Sequence, residues 1–256
     1  MGSNRSGVVR KNRLKRRKRE EERLLRKATA AAEASHKPGI AAKVKDTVKS
    51  AAHTAKEAAD TAVKKAGTAV KAVAAAGHEV LSHSYAMDVI PALLSDAEER
   101  ANIARCTMLL EKASGQKVVG WLSPRGTSRS ETARLLAEAG YTWYGDVFDD
   151  DLPYVQTFGN HKIVAIPLGT DVNDMPFMKY GNPPKLMLES FNENVKIARA
   201  RKNELSIIDV TMHAHIFGHP RGAWYYEQIV RTAAKAPDIW VATRAEIADH
   251  VLAQKA

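Results

Sequence analysis

The sequence predicts an α/β domain preceded by a basic extension, and three observations lead to this prediction. All sixteen aromatic residues lie beyond residue 76. The first 76 residues carry 20 Lys and Arg against 7 Asp and Glu, whereas the remaining 180 carry 19 against 22. Beyond Gly77, short apolar runs typical of strands alternate with amphipathic helical patterns. The net charge of +10 therefore comes from the N-terminal third, which excludes a uniformly basic nucleic-acid-binding protein.

The predicted extension covers residues 1–66. A run of basic residues from Arg10 to Arg19 is followed, between Ala41 and Ala76, by Ala/Lys-rich blocks spaced about eleven residues apart. Alanine favours helix but offers too little apolar area for a core, so we expect a helical or disordered extension. Two interpretations stay open for it: weak contact with a polyanion or an anionic membrane surface, or a solvated low-complexity segment without a partner.

Residues 67–256 form the predicted domain, which opens with a short strand at Val80 and Leu81. Ser95 and Glu98 then make a capping box for a helix that stops at Gly115. Because helical segments separate most of the strands, crossover connections and a mainly parallel sheet are expected. The further strands are predicted at 118–122, 141–144, 163–167, 205–212 and 239–242. The further helices are predicted from a cap formed by Ser128 and Glu131 to Gly140, after Pro184, at 221–236 and after a cap formed by Thr243 and Glu246.

The single cysteine, Cys106, excludes an internal disulfide and a multi-cysteine zinc site, and we expect it to be packed in a helix. No apolar run approaches the roughly 20 residues of a membrane span. The basic N-terminus also lacks the apolar stretch of a signal peptide. A cytoplasmic protein is therefore expected.

The polar residues that could take part in catalysis or ligand binding follow the predicted strands. In parallel α/β folds catalytic groups gather where strands end. Each of these residues taken alone has an ordinary structural explanation, such as a turn or a solvated loop, but their common position predicts a site. They are His83 after the first strand, Arg125 after the second, Asp149 to Asp151 after the third, and His213, His215 and His219 after residues 205–212.

Four ordered motifs make the chain resemble the polysaccharide deacetylase (NodB-homology) family, in particular its allantoinase-like branch. The motifs are Gly77 to Ser84, Gly120 to Gly126, Asp146 to Tyr154, and Met212-His213 leading to Gly218-His219-Pro220. The resemblance begins near residue 69 and implies a partial, distorted (β/α) barrel. It also implies hydrolysis of a non-peptide C–N amide bond, typically the removal of an N-acetyl group from a carbohydrate.

The resemblance implies roles for individual residues. His213 takes the position of the general acid, and Arg125 takes that of the arginine that orients the catalytic carboxylate. The substrate, a carbohydrate or a small amide, is expected to contact Trp121, Asp149, Asp150 and Tyr154.

The same resemblance implies a divalent metal, zinc or similar, at His83. However, Met87 stands where the second histidine of the metal motif is expected, and a thioether is a poor ligand for such ions. The family's paired-aspartate motif, which supplies the base and a metal ligand, has no counterpart before Gly77, where Asp46 and Asp60 stand alone among alanines. We therefore expect an N-terminally incomplete barrel. The alternative function is that of a catalytically silent carbohydrate-binding or interaction protein with a basic anchoring arm.

If the extension binds polyanions, its affinity should come from the basic run Arg10 to Arg19 and should not depend on nucleotide sequence. Binding of the full chain to a labelled DNA duplex should then weaken on the order of tenfold or more between low and physiological salt, because bound phosphates release counterions. Fluorescence anisotropy measures this, with a chain lacking residues 1–27 as the control. Salt-independent binding, or equal binding by the shortened chain, contradicts the prediction.

Overall fold

The computed structural model describes Thr61, residues 64–201 and residues 204–254. The chain divides into two compact units, Met1–Ala69 and Val70–Ala256. The basic run Arg10 to Arg19 lies outside the described residues, and of the first unit the structure describes Thr61 and the helical residues 64–69. Within the part of the chain that is described, no helix is long and apolar enough to cross a membrane.

A four-stranded sheet organises the second unit. Its spatial order is β1-β2-β4-β3, with β1, β2 and β4 parallel and β3 antiparallel to β4. An isolated parallel bridge between Ser82 and Trp121 continues the sheet beyond β1. The fold is thus mixed α/β with a partial, open sheet, which confirms the predicted fold class. The strands are β1 (Gly120–Trp121), β2 (Trp143–Tyr144), β3 (Tyr154–Phe158) and β4 (His161–Ala165).

Six α-helices are described between residues 96 and 253. Both predicted capping boxes are confirmed, Ser95 with Glu98 and Thr243 with Glu246. The predicted cap at Ser128 is wrong, because its hydroxyl donates to Asp146 instead. The helices are α1 (Asp96–Ser114), α2 (Thr132–Glu138), α3 (Asp174–Lys179), α4 (Lys185–Ala200), α5 (Pro220–Lys235) and α6 (Arg244–Ala253).

Helices cover both faces of the sheet. Successive strand residues point to opposite faces, so Tyr144 packs with buried residues of α1 and α2, whereas Trp143 packs with Ala248 of α6. Gly120 makes room for the Trp143 indole, since a Cβ atom at that position would lie 2.2 Å from the ring. A third apolar cluster joins α4 to α5 around Phe191 and Ile229.

Three predicted strands are wrong, and the first of them, at Val80 and Leu81, is replaced by the single bridge of the adjacent Ser82 to Trp121. Within the described residues, the run 205–212 makes a single bridge, between Thr211 and Asn173, and Leu205 is 81% exposed. Residues 239–242 form no strand, and Trp240 is also exposed. Apolar composition indicates an extended segment, but a strand also needs a neighbour whose backbone completes the hydrogen-bond ladder. β3 is absent from the predicted strands, and it forms because the short turn after Phe158 folds the chain back onto β4.

The predicted packing of Cys106 is confirmed. The side chain is buried on α1, and its Sγ atom lies 3.7 Å from Oδ1 of Asn102. Burial raises the pKa of the Cys106 thiol, which keeps the group protonated at neutral pH.

A buried carboxylate connects α1 to the segment before α2. Glu99 is fully buried and accepts hydrogen bonds from Arg129 Nε at 2.9 Å and from the Thr132 hydroxyl at 2.6 Å. Arg129 Nη2 lies 2.7 Å from the same carboxylate and also pairs with the more exposed Asp96. Removing the arginine would leave a buried negative charge with a single hydroxyl donor, which is costly.

We therefore expect Arg129→Ala to lower the free energy of unfolding by about 3 kcal/mol. The matched control is Arg134→Ala, which removes a more exposed arginine that pairs with Asp96, Glu131 and Glu138. Because exposed ion pairs are weak, the control should lower the free energy of unfolding much less than Arg129→Ala does. Urea unfolding of the parent, Arg129→Ala and Arg134→Ala measures the three free energies of unfolding. Equal losses in the two variants would show that the burial of Glu99 does not determine the cost of removing its partner.

Candidate active site

The candidate site is built around a buried carboxylate that holds an imidazole. Asp174 is fully buried, and one of its oxygens accepts the Nδ1 proton of His213 at 2.6 Å. Its other oxygen accepts the backbone N–H of His213 at 2.8 Å and that of Phe217 at 3.2 Å. The carboxylate therefore fixes both the ring and the backbone of His213, whose side chain stays 34% exposed. Among the described residues no group hydrogen-bonds to Nε2.

Two chain segments must meet to place Asp174 beside His213. Asn173 caps α3 by accepting the backbone N–H of Met175 at 3.1 Å, and it forms the parallel bridge with Thr211. The bridge is closed by two backbone hydrogen bonds, from Thr211 N to the Val172 carbonyl at 2.9 Å and from Asp174 N to the Thr211 carbonyl at 3.2 Å. Asp174 is not among the residues predicted from the sequence. The sequence signal that could have indicated it is the pair Asn173-Asp174 at the start of α3.

His83 is held in a similar way at the end of β1. Its Nδ1 donates to the Leu122 carbonyl at 2.6 Å. In the neutral imidazole, Nε2 then carries no proton and is the acceptor nitrogen. The loop that follows is fixed by α1, because the Asn102 side chain donates to the Ser84 hydroxyl at 3.0 Å and accepts the backbone N–H of Tyr85 at 3.1 Å. An anchored Nδ1 is the arrangement that usually supports a metal-ligating histidine.

The other residues of the predicted metal site do not gather around His83. Met87 is 56% exposed, and in residues 64–201 and 204–254 no group of three or more His, Cys, Asp or Glu side chains is placed to hold an ion. Asp46 and Asp60 lie outside the described residues. The described residues therefore do not fit a divalent metal.

Arg125 lies in the turn Pro124–Gly126 that follows β1. Its side chain is exposed, and its φ of 63° lies in the left-handed region. No carboxylate in the described part of the chain is within ion-pair distance of its guanidinium. Its predicted role of orienting a catalytic carboxylate therefore stays a prediction.

The acidic segment after β2 is brought together with Tyr154. The Tyr154 hydroxyl donates to the Asp149 carboxylate at 3.0 and 3.2 Å, while Asp150 accepts the backbone N–H groups of Asp151 and Leu152 at 2.7 and 3.1 Å. Burial, and next the Asp149 carboxylate, raise the pKa of Tyr154. The phenol therefore stays protonated at neutral pH and acts as the donor. Both carboxylates are exposed, as a site open to ligand requires.

Trp121 is a correction to the predicted site. It is fully buried between the sheet and the helices α1 and α2, with its ring edge against Tyr141 at 6.1 Å between centroids. A substrate cannot reach it there. The motif shows an aromatic residue at the end of a strand, but which face of the sheet that residue occupies depends on the pairing register.

The candidate residues thus form two groups. One contains His213 with Asp174, and the other contains His83, Arg125 and the acidic segment with Tyr154. In the described part of the chain no hydrogen bond or ion pair joins the two groups.

Comparison with known proteins shows which proteins this chain resembles. The family model of polysaccharide deacetylase matches residues 40–144, which begins before the predicted domain boundary at residue 67. The probable polysaccharide deacetylase from Pseudomonas aeruginosa PAO1 has a similar structure, with a TM-score of 0.66 and 25% identity over 74% of this chain and 64% of that chain. The chain is thus similar to polysaccharide deacetylases. A search of curated proteins finds no match.

Two further structures show the same similarity. A putative polysaccharide deacetylase from Mycobacterium smegmatis gives a TM-score of 0.66 and 25% identity, covering 73% of this chain and 67% of its own. The Puue allantoinase gives a TM-score of 0.65 and 25% identity, covering 73% and 63%. The polysaccharide deacetylase resemblance of the sequence is thus confirmed. The chain spans about two thirds of the length of these structures.

The Asp174→Asn variant tests the orientation of the His213 ring. The two backbone N–H groups at Asp174 should hold the amide oxygen, which turns the amide NH2 toward Nδ1 and makes that nitrogen an acceptor. We therefore expect neutral His213 to change from the Nδ1-protonated to the Nε2-protonated tautomer. Nitrogen-15 NMR of labelled histidine reports this, with the exposed Asp150→Asn as the control. An unchanged tautomer would contradict the assigned hydrogen bond.

Proposed function

We propose that this polysaccharide deacetylase-family protein is a hydrolase that cleaves a non-peptide C–N amide bond, removing an N-acetyl group from a carbohydrate or opening a related small amide. The observation that carries this proposal is the pairing of His213 with the buried Asp174 at 2.6 Å. A carboxylate in that position stabilises an imidazolium and directs Nε2 outward, which is what a proton donor to a leaving group needs.

The family resemblance implies the course of the proposed reaction. Water adds to the amide carbonyl, the C–N bond breaks, and the departing nitrogen takes the Nε2 proton of His213, so that an N-acetylated sugar and water give a free amine and acetate. Asp174 stabilises the charged ring before the transfer and keeps it aligned afterwards. The base that accepts the proton of the attacking water belongs, by family resemblance, to the paired-aspartate motif that has no counterpart before Gly77.

A second candidate function is carbohydrate binding without catalysis. The observation in its favour is Arg125, which the resemblance casts as the partner of a catalytic carboxylate and which has no carboxylate partner among the described residues. The exposed carboxylates of Asp149 and Asp150 and the Tyr154 phenol would still offer hydrogen bonds to a saccharide.

One experiment separates the two functions. The purified full chain is incubated with N-acetylated chitotetraose and, separately, with allantoin, while acetate and ring-opened product are measured and chitotetraose binding is followed by calorimetry. Release of product supports the hydrolase. Binding without release supports the silent binder, and absence of both contradicts each of them.

Replacing His213 tests its role in proton transfer. His213→Ala should reduce the hydrolytic kcat by about a hundredfold or more, within the range that general acids contribute. The control is His215→Ala: the two rings are in edge contact at 5.6 Å, but His215 is exposed and no carboxylate holds it in the described part of the chain. The control should lose much less, and the pH profile of kcat/KM should lose its histidine-dependent limb only in His213→Ala. Equal losses, or full activity in His213→Ala, would contradict the assignment.

A further inference from the structure

Arg244, the first residue of α6, is bonded to two other parts of the second unit. It forms an ion pair with Asp209, and only 19% and 14% of the two side chains are exposed. Its guanidinium also donates to the Ile166 carbonyl directly after β4 at 3.3 Å, and its Cζ atom lies 5.5 Å from the centre of the Trp143 ring in β2. One side chain of α6 therefore holds the run 205–212 against the ends of β2 and β4.

These contacts matter because the run 205–212 has almost no ladder of its own. Within the described residues it makes one bridge, at Thr211, so side chains must define where it lies relative to the sheet. A Cβ atom built on Gly169 would lie 3.0 Å from the Cβ atom of Asp209. The run therefore passes close to the chain that follows β4, and Asp209 has little room to move.

Asp209 connects this clamp to His213. Its other carboxylate oxygen accepts the Thr211 hydroxyl at 3.1 Å, and the Thr211 carbonyl accepts the backbone N–H of Asp174 at 3.2 Å. Asp174 in turn holds the His213 ring. A continuous path of hydrogen bonds therefore runs from the ion pair to the imidazole.

The first turn of α6 is also bonded to the segment that leads to His83. The half-buried Glu79, four residues before His83, accepts the backbone N–H of Ala245 at 3.0 Å and the indole N–H of Trp143 at 2.7 Å. The N–H groups of a first helical turn have no partner within the helix, so this carboxylate fixes where α6 begins. The start of α6 thus lies between the segments that precede His83 and His213.

We propose that Arg244 and Asp209 are positioning residues for His213, which set the place of its imidazole relative to the His83 end of the site and contact no substrate themselves. The expected effect on rate rests on the proposed function, whereas the effect on the His213 ring needs no substrate. Proton transfer requires alignment, and a displacement of about 1 Å caused by a distant residue can cost on the order of a hundredfold in rate.

Two variants separate positioning from stability. Arg244→Met leaves the mostly buried Asp209 carboxylate without its cation, so it should lower the urea midpoint of unfolding. The double variant Asp209→Asn/Arg244→Met removes both charges and should regain most of that midpoint. Its new amide can still accept the Thr211 hydroxyl, but no guanidinium bonds the run 205–212 to the Ile166 carbonyl, so the position should not be regained.

Nitrogen-15 NMR of labelled histidine reports the position of the ring without substrate. In both variants we expect the His213 ring nitrogens to move toward the values of a freely exposed histidine, because the bond to Asp174 is weakened. The matched control is Arg129→Ala, which breaks the buried ion pair of Glu99 between α1 and the segment before α2. It should lower the urea midpoint and leave the His213 signals unchanged. If Arg244→Met does not fold, the double variant decides.

Hydrolysis of N-acetylated chitotetraose supplies a second readout. The double variant should lower kcat by about tenfold or more with little change in KM, because the groups that bind substrate stay in place. Arg244→Lys should lose less than Arg244→Met, since an ammonium can still pair with Asp209 but cannot bond both acceptors as the planar guanidinium does. Arg129→Ala should keep the kcat of the parent.

The outcomes separate this inference from the proposed function. His213 signals that are unchanged in the double variant, or that recover there together with the urea midpoint, overturn the positioning role. Shifted signals with an unchanged kcat in an active protein overturn its importance for the reaction. Shifted signals together with no acetate release by the parent support the positioning of His213 and contradict the hydrolase.

Discussion

The arrangement of the site depends on one requirement, that a carboxylate removed from water must be satisfied by hydrogen-bond donors. Asp174 meets this requirement with the ring of His213 and the backbone N–H groups of His213 and Phe217. These three bonds tie the start of α3 to the turn before α5. The parallel bridge between Asn173 and Thr211 supports the same junction. The Asp174 carboxylate, which holds the His213 ring, therefore also fixes the local path of the backbone.

The same principle recurs at other connections in the second unit. Glu99 is fully buried and joins α1 to the segment before α2 through Arg129 and Thr132. Asp146 accepts the backbone N–H of Ser123 at 2.9 and 3.0 Å and so joins the loops that follow β1 and β2. Strands of two residues form few ladder hydrogen bonds. The side-chain hydrogen bonds therefore fix much of the backbone conformation at the strand ends. The loops that carry His83 and Arg125 are ordered as a result.

The open sheet has consequences for function. In the described residues, the segment 205–212 makes a single bridge, at Thr211, and the segment 239–242 forms no strand. Leu205 and Trp240 are exposed there. The pair of His213 and Asp174 is nevertheless assembled. The proposed hydrolysis and the alternative of silent carbohydrate binding differ in whether a base and its water are supplied.

The sequence by itself determined the α/β class, both capping boxes, the packed thiol of Cys106 and the resemblance to polysaccharide deacetylases, because these depend on local periodicity and on motifs within short stretches of chain. It placed His213 directly after a predicted strand at 205–212, of which only the bridge at Thr211 forms. Only the tertiary structure decided that Asp174, 39 residues earlier, holds the His213 ring, that Trp121 faces the core, and that residues 205–212 lack a ladder partner. Each of these depends on contacts between segments distant in sequence, and residue type and spacing carry no record of which segments meet.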